Sequence, residues 1–549
     1  MQNTGKWWHN AVVYQIYPRS FCDANNDGIG DLAGIISKLD YLQRLGINII
    51  WLSPVYQSPM DDNGYDISDY QNIAAEFGTL DEMETLIAEA KKRDIQIVMD
   101  LVVNHTSDEH PWFIEAKKSK DNPYRHYYIW RKPKDDGSVP NNFHSYFGGS
   151  GWEFDEESGE YYFHQFSKRQ PDLNWENSQV QAEIHKMMNW WLDKGIGGFR
   201  MDVIDLIGKD VDNEIMADGP QLHHLLQQMN RATFGQRDVL TVGETWSATP
   251  ETAKLYSDPA RNELSMVFQF EHITIGYHPQ HGKWQPQPFD LIKLKQVFNK
   301  WQTALVDSGW NSLFWNNHDL PRIVSKYGDP GLFRVESAKM LATTLHFMQG
   351  TPYIYQGEEI GMTNVRFPKI EDYQDIESLN LYSERTEAGV PAEEMMEGIY
   401  TNGRDNARTP MQWSNEANGG FSRVSPWLKV NPNYTEINVE AALNDPDSIF
   451  FHYQKLIALR KNKPIITWGK YQQLLEAHQE VFAYQRILDN EHIVVISNFC
   501  GHQVQLPLPA EIRNIEGEWL IGNYPPRHGL AEEITLQPYE SFAISWLNN

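Results

Sequence analysis

The sequence predicts an α/β chain built on a (β/α)8 (TIM) barrel, with a small domain inserted after the third strand and an antiparallel β domain towards the C-terminus. Three observations carry this. Short apolar runs alternate with helical patterns through most of the length, and the alternation breaks once, after the third run. Beyond residue 459, strand-like runs follow one another with no helix between them. Alternation of this kind gives parallel strands covered by helices, and eight such units close into a barrel that buries both sheet faces and leaves no edge.

The eight apolar runs are 12–16, 47–52, 95–99, 198–201, 239–242, 265–268, 312–315 and 353–355. Before the fourth, Asn177 or Ser178 can cap a helix in which Ile184, Met187, Met188 and Trp191 recur on one face, and Gly195 closes it. About seventy residues, 105–174, separate the third run from that helix and are rich in Gly, Pro, Tyr and Trp. They read as an inserted domain, and residues 363–410 read as a large irregular lid after the eighth strand. Runs 481–486, 493–498 and 541–546 belong to the final β domain. The expected division is a barrel of residues 1–104 and 175–471, an insertion of 105–174, and a C-terminal β-sandwich of 472–549.

Composition narrows the function classes. The formal charge of −27 opposes binding to nucleic acid or to anionic membranes and favours a neutral substrate. The 19 Trp, 26 Tyr and 24 Phe suit both a packed core and a cleft that stacks sugar rings; composition alone does not separate the two. Cys22 and Cys500 are the two cysteines, read as unpaired thiols in a reducing compartment. Residues 1–8 lack an apolar leader core and no run reaches membrane-spanning length, so a cytoplasmic, monomeric protein is expected.

In a barrel of this type the chemistry sits at the C-terminal ends of the strands. The residues there are Asp100, Asn104 and His105 after run three, Arg200 and Asp202 at run four, Glu244 at run five, and His318 and Asp319 after run seven. Any one acid could be a structural ion pair, since buried acids are seldom unpaired. Several strand-end clusters, all acidic or His-bearing, at one mouth argue against that reading for all of them together. Two facing carboxyl groups, one as nucleophile and one protonating the leaving oxygen, are what a retaining glycosidase needs.

The segments around these residues resemble the four conserved regions of the α-amylase family, glycoside hydrolase family 13. They are Asp100-Leu-Val-Val-Asn-His105, Gly198-Phe-Arg-Met-Asp-Val-Ile204, Val242-Gly-Glu-Thr245 and Asn317-His-Asp319, with Gln170-Pro-Asp-Leu-Asn174 similar to a fifth. The resemblance spans Trp7 to about Leu459 and implies a retaining α-glucosidase with Asp202 as nucleophile, Glu244 as general acid/base and Asp319 as transition-state carboxylate. It implies that Arg200 orients Asp202 and lowers its pKa, and that His105 and His318 bind glucose hydroxyls. Asp62, Tyr65 and Arg404 would close the glucose pocket, with an Asp–Arg pair blocking longer chains, and Phe147, Phe166 and Gln170 would line it.

Linkage is read from the residues around the acids. Val203, directly after the nucleophile position, resembles the α-1,6-specific group. Asp202 and Glu244 lie 42 positions apart, similar to the short loop of glucan 1,6-α-glucosidases (dextran glucosidases). Trp246 and Lys283 resemble that group's leaving-side residues, for stacking and hydrogen bonding. The expected activity is release of glucose from the non-reducing end of α-1,6-linked glucans and isomaltooligosaccharides. The alternatives are an oligo-1,6-glucosidase, a trehalose-6-phosphate hydrolase, and a transglucosylating enzyme or sucrose isomerase. A non-catalytic transporter subunit of this fold would have a membrane helix and lack the acids, which are all present here.

Asp23-Ala-Asn-Asn-Asp-Gly-Ile-Gly-Asp31 sets side-chain oxygens at positions 1, 3, 5 and 9, Gly28 at position 6 and the Ile29 carbonyl at position 7. This is the donor spacing of a calcium loop, although Gly34 replaces the usual bidentate Glu at position 12. The segment also resembles the calcium loop after the first strand in this subfamily. A structural Ca2+ held by Asp23, Asn25, Asp27, Ile29 and Asp31 is therefore expected.

Overall fold

The computed structural model describes residues 5–527 and 529–548. Eight parallel strands form the central sheet: β1 (Val13–Ile16), β2 (Ile49–Leu52), β3 (Gln96–Leu101), β4 (Gly198–Met201), β5 (Leu240–Glu244), β6 (Met266–Phe268), β7 (Ser312–Phe314) and β8 (Thr351–Tyr355). Their order is β6-β5-β4-β3-β2-β1-β8-β7. A parallel bridge from Val267 to Asn311, with the Ser312 hydroxyl donating to the Val267 carbonyl at 2.6 Å, joins the two ends into a barrel.

Every residue of these strands except Gln96 is buried, as a sheet covered on both faces requires. Trp51, Phe268, Phe314 and Tyr353 fill the interior beneath the acids, with ring centroids 4.7–6.4 Å apart. β4 must begin with glycine. Gly198 has φ +138°, and a Cβ there would sit 1.7 Å from the Leu240 carbonyl oxygen of β5. The helix Ser178–Asp193 is capped by the Asn177 side chain and buries Val180, Ile184, Met187, Met188, Trp191 and Leu192. Gly195 follows with φ +90°.

The segment between β3 and that helix holds the helix Pro111–Lys118 and an antiparallel three-stranded sheet, Trp130–Arg131, Trp152–Asp155 and Glu160–Phe163. It is pinned to the barrel by Lys209, whose buried ammonium meets Asn104 Oδ1 at 2.7 Å and Asp172 Oδ2 at 3.1 Å. The stretch after β8 differs from the irregular lid expected of it. It contains two helices, Ile376–Glu387 and Ala392–Asn402, which pack on each other over a small apolar cluster of Trp284, Val365, Phe367, Tyr373, Ile399 and Leu428. Only Ser378 is buried in the first helix, so its apolar period is too weak to mark it as helical in sequence.

The C-terminal part is a five-stranded antiparallel sheet of β9 (Lys470–Leu474), β10 (Val481–Leu488), β11 (Glu491–Asn498), β12 (Glu518–Gly522) and β13 (Ser541–Leu547), with two two-stranded ribbons beside it. Phe482, Tyr484, Ile493 and Val495 belong to the same core cluster as the barrel. Cys22 and Cys500 are both free thiols. Among the described residues, no helix is long and apolar enough to cross a membrane.

Candidate active site

A cavity of about 650 Å³ opens at the C-terminal mouth of the barrel. At its floor Arg200, carried inward by β4 and fully buried, reaches three carboxylates. Its Nη1 donates to Asp100 Oδ1 at 2.9 Å and to Asp202 Oδ1 at 2.6 Å, and its Nη2 donates to Glu244 Oε2 at 2.6 Å. The guanidinium lies 4.8 Å over the Trp51 ring. Asp100 is held in turn by Trp51 Nε1 and the Tyr65 hydroxyl, both at 3.0 Å.

The pKa of Asp202 departs from the sequence expectation. Burial pushes it well above the ordinary carboxylate range, the nearby Glu244 and Asp100 charges push the same way, and Arg200 opposes without prevailing. Asp100 is raised to about 6 for the same reason, burial against Arg200.

Residue 203 turns the chain sharply. Val203 has φ +36° and ψ 45°, a left-handed conformation that a β-branched side chain rarely adopts. In that turn its N–H donates to Glu244 Oε2 at 3.1 Å and its side chain faces the cavity. Glu244 Oε1 accepts from Trp246 Nε1 at 2.9 Å. One face of the Trp246 indole is covered by Phe270, with centroids 3.8 Å apart and planes 6° apart, while the residue remains about half exposed at the mouth.

The opposite wall is built around Arg404. Its guanidinium reaches Asp62 at 3.4 Å, Asp319 at 3.3 Å and Asp375 at 2.7 Å, and lies 5.0 Å from the Phe147 ring. Asp319 also takes Arg408 at 2.8 Å and His318 Nε2 at 3.2 Å. Burial pushes Asp319 up, but His318, Arg404 and Arg408 together outweigh it and hold the group below its usual range. Asp62 is raised instead, to about 7, because burial exceeds the pull of Arg404 and Arg408. His105 and His318 are depressed by burial to about 4 and about 3, so both are neutral partners for hydroxyls. His318 lies between Tyr65 and Tyr17, nearly parallel to both rings. His105 Nε2 sits 2.9 Å from the Tyr65 carbonyl, and its ring packs on Phe166.

Of the residues read from sequence, Asp62, Tyr65, His105, Phe147, Phe166, Asp202, Val203, Glu244, Trp246, Lys283, His318, Asp319 and Arg404 line this one cavity. Gln170 does not. It lies fully buried behind the wall, where Nε2 donates to Asp62 Oδ2 at 3.2 Å and to the Tyr65 carbonyl at 3.0 Å, so it braces the pocket rather than lining it. Lys283 lines the mouth with its ammonium paired to Glu377 at 2.7 Å.

Sequence reasoning missed Asp375, Glu377, Arg408 and Asp205. Arg408 lies four residues after Arg404, so helical spacing could have found it. Asp375 and Glu377 open the overlooked helix, where Asp375 also caps the N-terminus. Asp205 lines the mouth, accepts from the Ser247 hydroxyl at 2.8 Å, and is raised to about 7 by burial.

The loop 23–31 is folded on its own side chains. Asp23 accepts from the amides of Asn26 and Gly28 and from the Ser422 hydroxyl, and Asp31 accepts from the amides of Ala24, Asn25 and Gly34. Gly28 has φ +92°, and a Cβ would come 2.4 Å from the Ser425 carbonyl oxygen. The donor atoms are all oxygen, the type a hard cation takes.

Comparison with known proteins agrees with this geometry. The α-amylase catalytic domain matches residues 15–469, and the C-terminal domain of the α-amylase SusG matches 481–542. The palatinase of Erwinia rhapontici is 63% identical over 540 residues, covering 98% of each chain. The glucan 1,6-alpha-glucosidase of Streptococcus pneumoniae serotype 4 is 57% identical, covering 99% of each. The solved trehalose-6-phosphate hydrolase of Bacillus licheniformis superposes with a TM-score of 0.96 at 49% identity, over 99% of this chain and 100% of that one. With three acids gathered on one barrel mouth and a match spanning most of its length, this chain belongs to the α-amylase family and is a glycoside hydrolase of the α-glucosidase type.

Proposed function

We propose that the enzyme is a retaining, exo-acting α-glucosidase that releases glucose from the non-reducing ends of α-1,6-linked glucans and isomaltooligosaccharides. The carrying observation is the asymmetry of the cavity. On one side of the acids, Arg404 tied to Asp62, Asp319 and Asp375 walls off the space beyond a single glucose. On the other, Trp246, Ser247, Tyr277 and Lys283 border an opening.

In this reading Asp202 attacks the anomeric carbon, Glu244 protonates the leaving oxygen and then deprotonates water, and Asp319 holds hydroxyls as the ring gains positive charge. Attachment of Asp202 and Glu244 to adjacent nitrogens of one guanidinium supports the close carboxyl spacing, about 5 Å, of a retaining pair. Asp62, Tyr65, His105, His318 and Arg404 bind the glucose, and the exposed face of Trp246 stacks the next sugar.

Two observations weigh against a phosphorylated disaccharide. The cations lining the cavity, Lys283 and Arg404, are both spent on carboxylates, and Asp62, Asp202, Asp205, Glu244, Asp319 and Glu377 surround them.

The test is kcat/KM on isomaltotriose, isomaltulose, maltotriose and trehalose 6-phosphate. We expect either α-1,6 substrate to exceed maltotriose. Val203→Ala should raise maltotriose relative to isomaltotriose by roughly ten- to a hundredfold, the worth of a small change in an apolar contact. A wild-type preference for maltotriose, or activity confined to trehalose 6-phosphate, refutes the reading.

Ca2+ at Asp23, Asn25, Asp27, the Ile29 carbonyl and Asp31 belongs to the same proposal, as a structural ion that stiffens the turn after β1. Chelation should lower the Tm while leaving kcat of the folded enzyme unchanged; a Tm indifferent to chelator in calcium-loaded enzyme counts against it. A monomeric, cytoplasmic enzyme completes the reading, supported by the two unpaired thiols.

A further inference from the structure

We propose that Glu480, Cys500 and His502 form a binding site for one divalent cation of the zinc class, on the C-terminal domain. The site follows from strand register. β10 and β11 pair antiparallel with Val481 opposite Asn498, so the residue before β10 and those after β11 meet at the open end of the pair. The Phe499 amide donates to the Glu480 carbonyl at 2.8 Å and holds the two chains together there.

Asn498 then shapes the turn. Its Oδ1 accepts from the Cys500 amide at 3.2 Å and from the thiol at 2.9 Å, while its Nδ2 donates to the His502 carbonyl at 2.9 Å. Both side chains thereby face Glu480.

The donor spacing is that of a metal's coordination sphere. His502 Nε2 lies 3.6 Å from Cys500 Sγ and 3.0 Å from Glu480 Oε1, and the three donor atoms all fall within 4.8 Å of one another. Around tetrahedral zinc, bonds of about 2.3 Å to sulfur, 2.05 Å to nitrogen and 2.1 Å to oxygen place sulfur and nitrogen about 3.6 Å apart and nitrogen and oxygen about 3.4 Å apart. The sulfur–nitrogen separation already matches, the nitrogen–oxygen separation needs to open by only a few tenths of an ångström, and the sulfur and the carboxylate oxygen lie within 4.8 Å of each other.

A thiolate, an imidazole and a carboxylate make a borderline-soft set that suits Zn2+ or Co2+ and not Ca2+ or Mg2+. Three protein ligands leave the fourth position to water. As the metal–sulfur bond forms, the thiol proton passes to solvent, the neutral imidazole offers the Nε2 lone pair, and no electron is exchanged. None of the three residues lines the catalytic cavity.

The test uses the full-length enzyme, stripped by chelator and dialysed. Titration with CoCl2 is followed in the near ultraviolet for the thiolate-to-cobalt charge-transfer band, and titration with ZnCl2 by calorimetry. We expect one equivalent of each metal, with a cobalt band that vanishes in Cys500→Ser and zinc affinity at least about tenfold weaker in His502→Ala. kcat/KM and far-ultraviolet circular dichroism should match wild type in both variants. Calcium in the all-oxygen loop gives no such band, so the two sites read out separately. No band in the wild-type enzyme, a band that survives in Cys500→Ser, or unchanged zinc affinity in His502→Ala overturns the assignment.

Discussion

At Arg200 one guanidinium meets three carboxylates, and the protonation of the site depends on that imbalance. Because burial and like charge push Asp202 up while Arg200 pulls it down, the acid limb of kcat/KM should lie above the ordinary carboxylate range. The sign follows from the proposed mechanism: a proton on Asp202 would remove the nucleophile, so activity should fall as pH drops through its pKa. Arg200→Gln should move that limb to higher pH as well as lowering kcat. A pH–kcat/KM profile with the limb unmoved contradicts this account. At Glu244, Glu244→Gln should cost natural glucosides about 10²- to 10⁴-fold in kcat, and aryl glucosides with good leaving groups much less in the glycosylation step, since these need little protonation. Pre-steady-state kinetics on the two substrate types separate this from a general loss of structure, which would reduce both equally. Asp202→Asn should leave a folded protein with no turnover on either.

At the level of elements, the inserted domain and the helix pair after β8 act as two jaws on the barrel mouth. Lys209 fastens the first, with both its partners buried. Lys209→Ala leaves Asp172 without its counter-charge in a dry site, a loss of about 3–5 kcal/mol by precedent for broken buried pairs. We expect a cooperative denaturant transition displaced by that amount, together with a raised KM, because Phe147, Phe166 and Gln170 ride on the same insertion. A shift under about 1 kcal/mol would show that the domain holds its place by packing alone. The second jaw supplies Asp375 at the start of its first helix and Arg404 just after its second, so the helix pair that closes this side of the cavity also sets its charge.

Across the whole molecule, the C-terminal sheet is continuous with the barrel core. Tyr484 donates to the Thr344 carbonyl at 2.7 Å, and Lys295 reaches the carbonyls of Leu475 and His478 at 2.7 and 2.5 Å. Arg486, fully buried in β10, donates to the Phe347 carbonyl at 2.7 Å. Truncation after Gly469 would expose Phe482's and Tyr484's apolar partners on the barrel helices along with several orphaned polar groups. The truncated chain should lose cooperative unfolding or fail to stay soluble, as judged by calorimetry and size exclusion. A stable, active fragment would show instead that the sheet is an independent appendage.

The barrel was legible in the sequence, because a strand buried on both faces must be a largely apolar run and each of the eight is one. The gathering of Asp202, Glu244 and Asp319 was legible for a related reason: acids directly after such runs have one place to go, the mouth, while the roles proposed for them come from the family resemblance. The helix at 178–193 was legible from its cap and its apolar period. Tertiary structure alone decided the rest. Gln170 was placed behind the wall, Lys283 was given to Glu377, and Asp202 was raised by burial and, after that, by carboxylates that come from other strands; packing direction and electrostatics between distant segments leave no trace in local pattern. The helix at 376–387 stayed hidden because its stability comes from a partner helix and a charged cap and not from an apolar stripe. The strain at Val203 was equally invisible, since valine is an ordinary strand residue, and only the approach of β5 with Glu244 makes its left-handed turn useful.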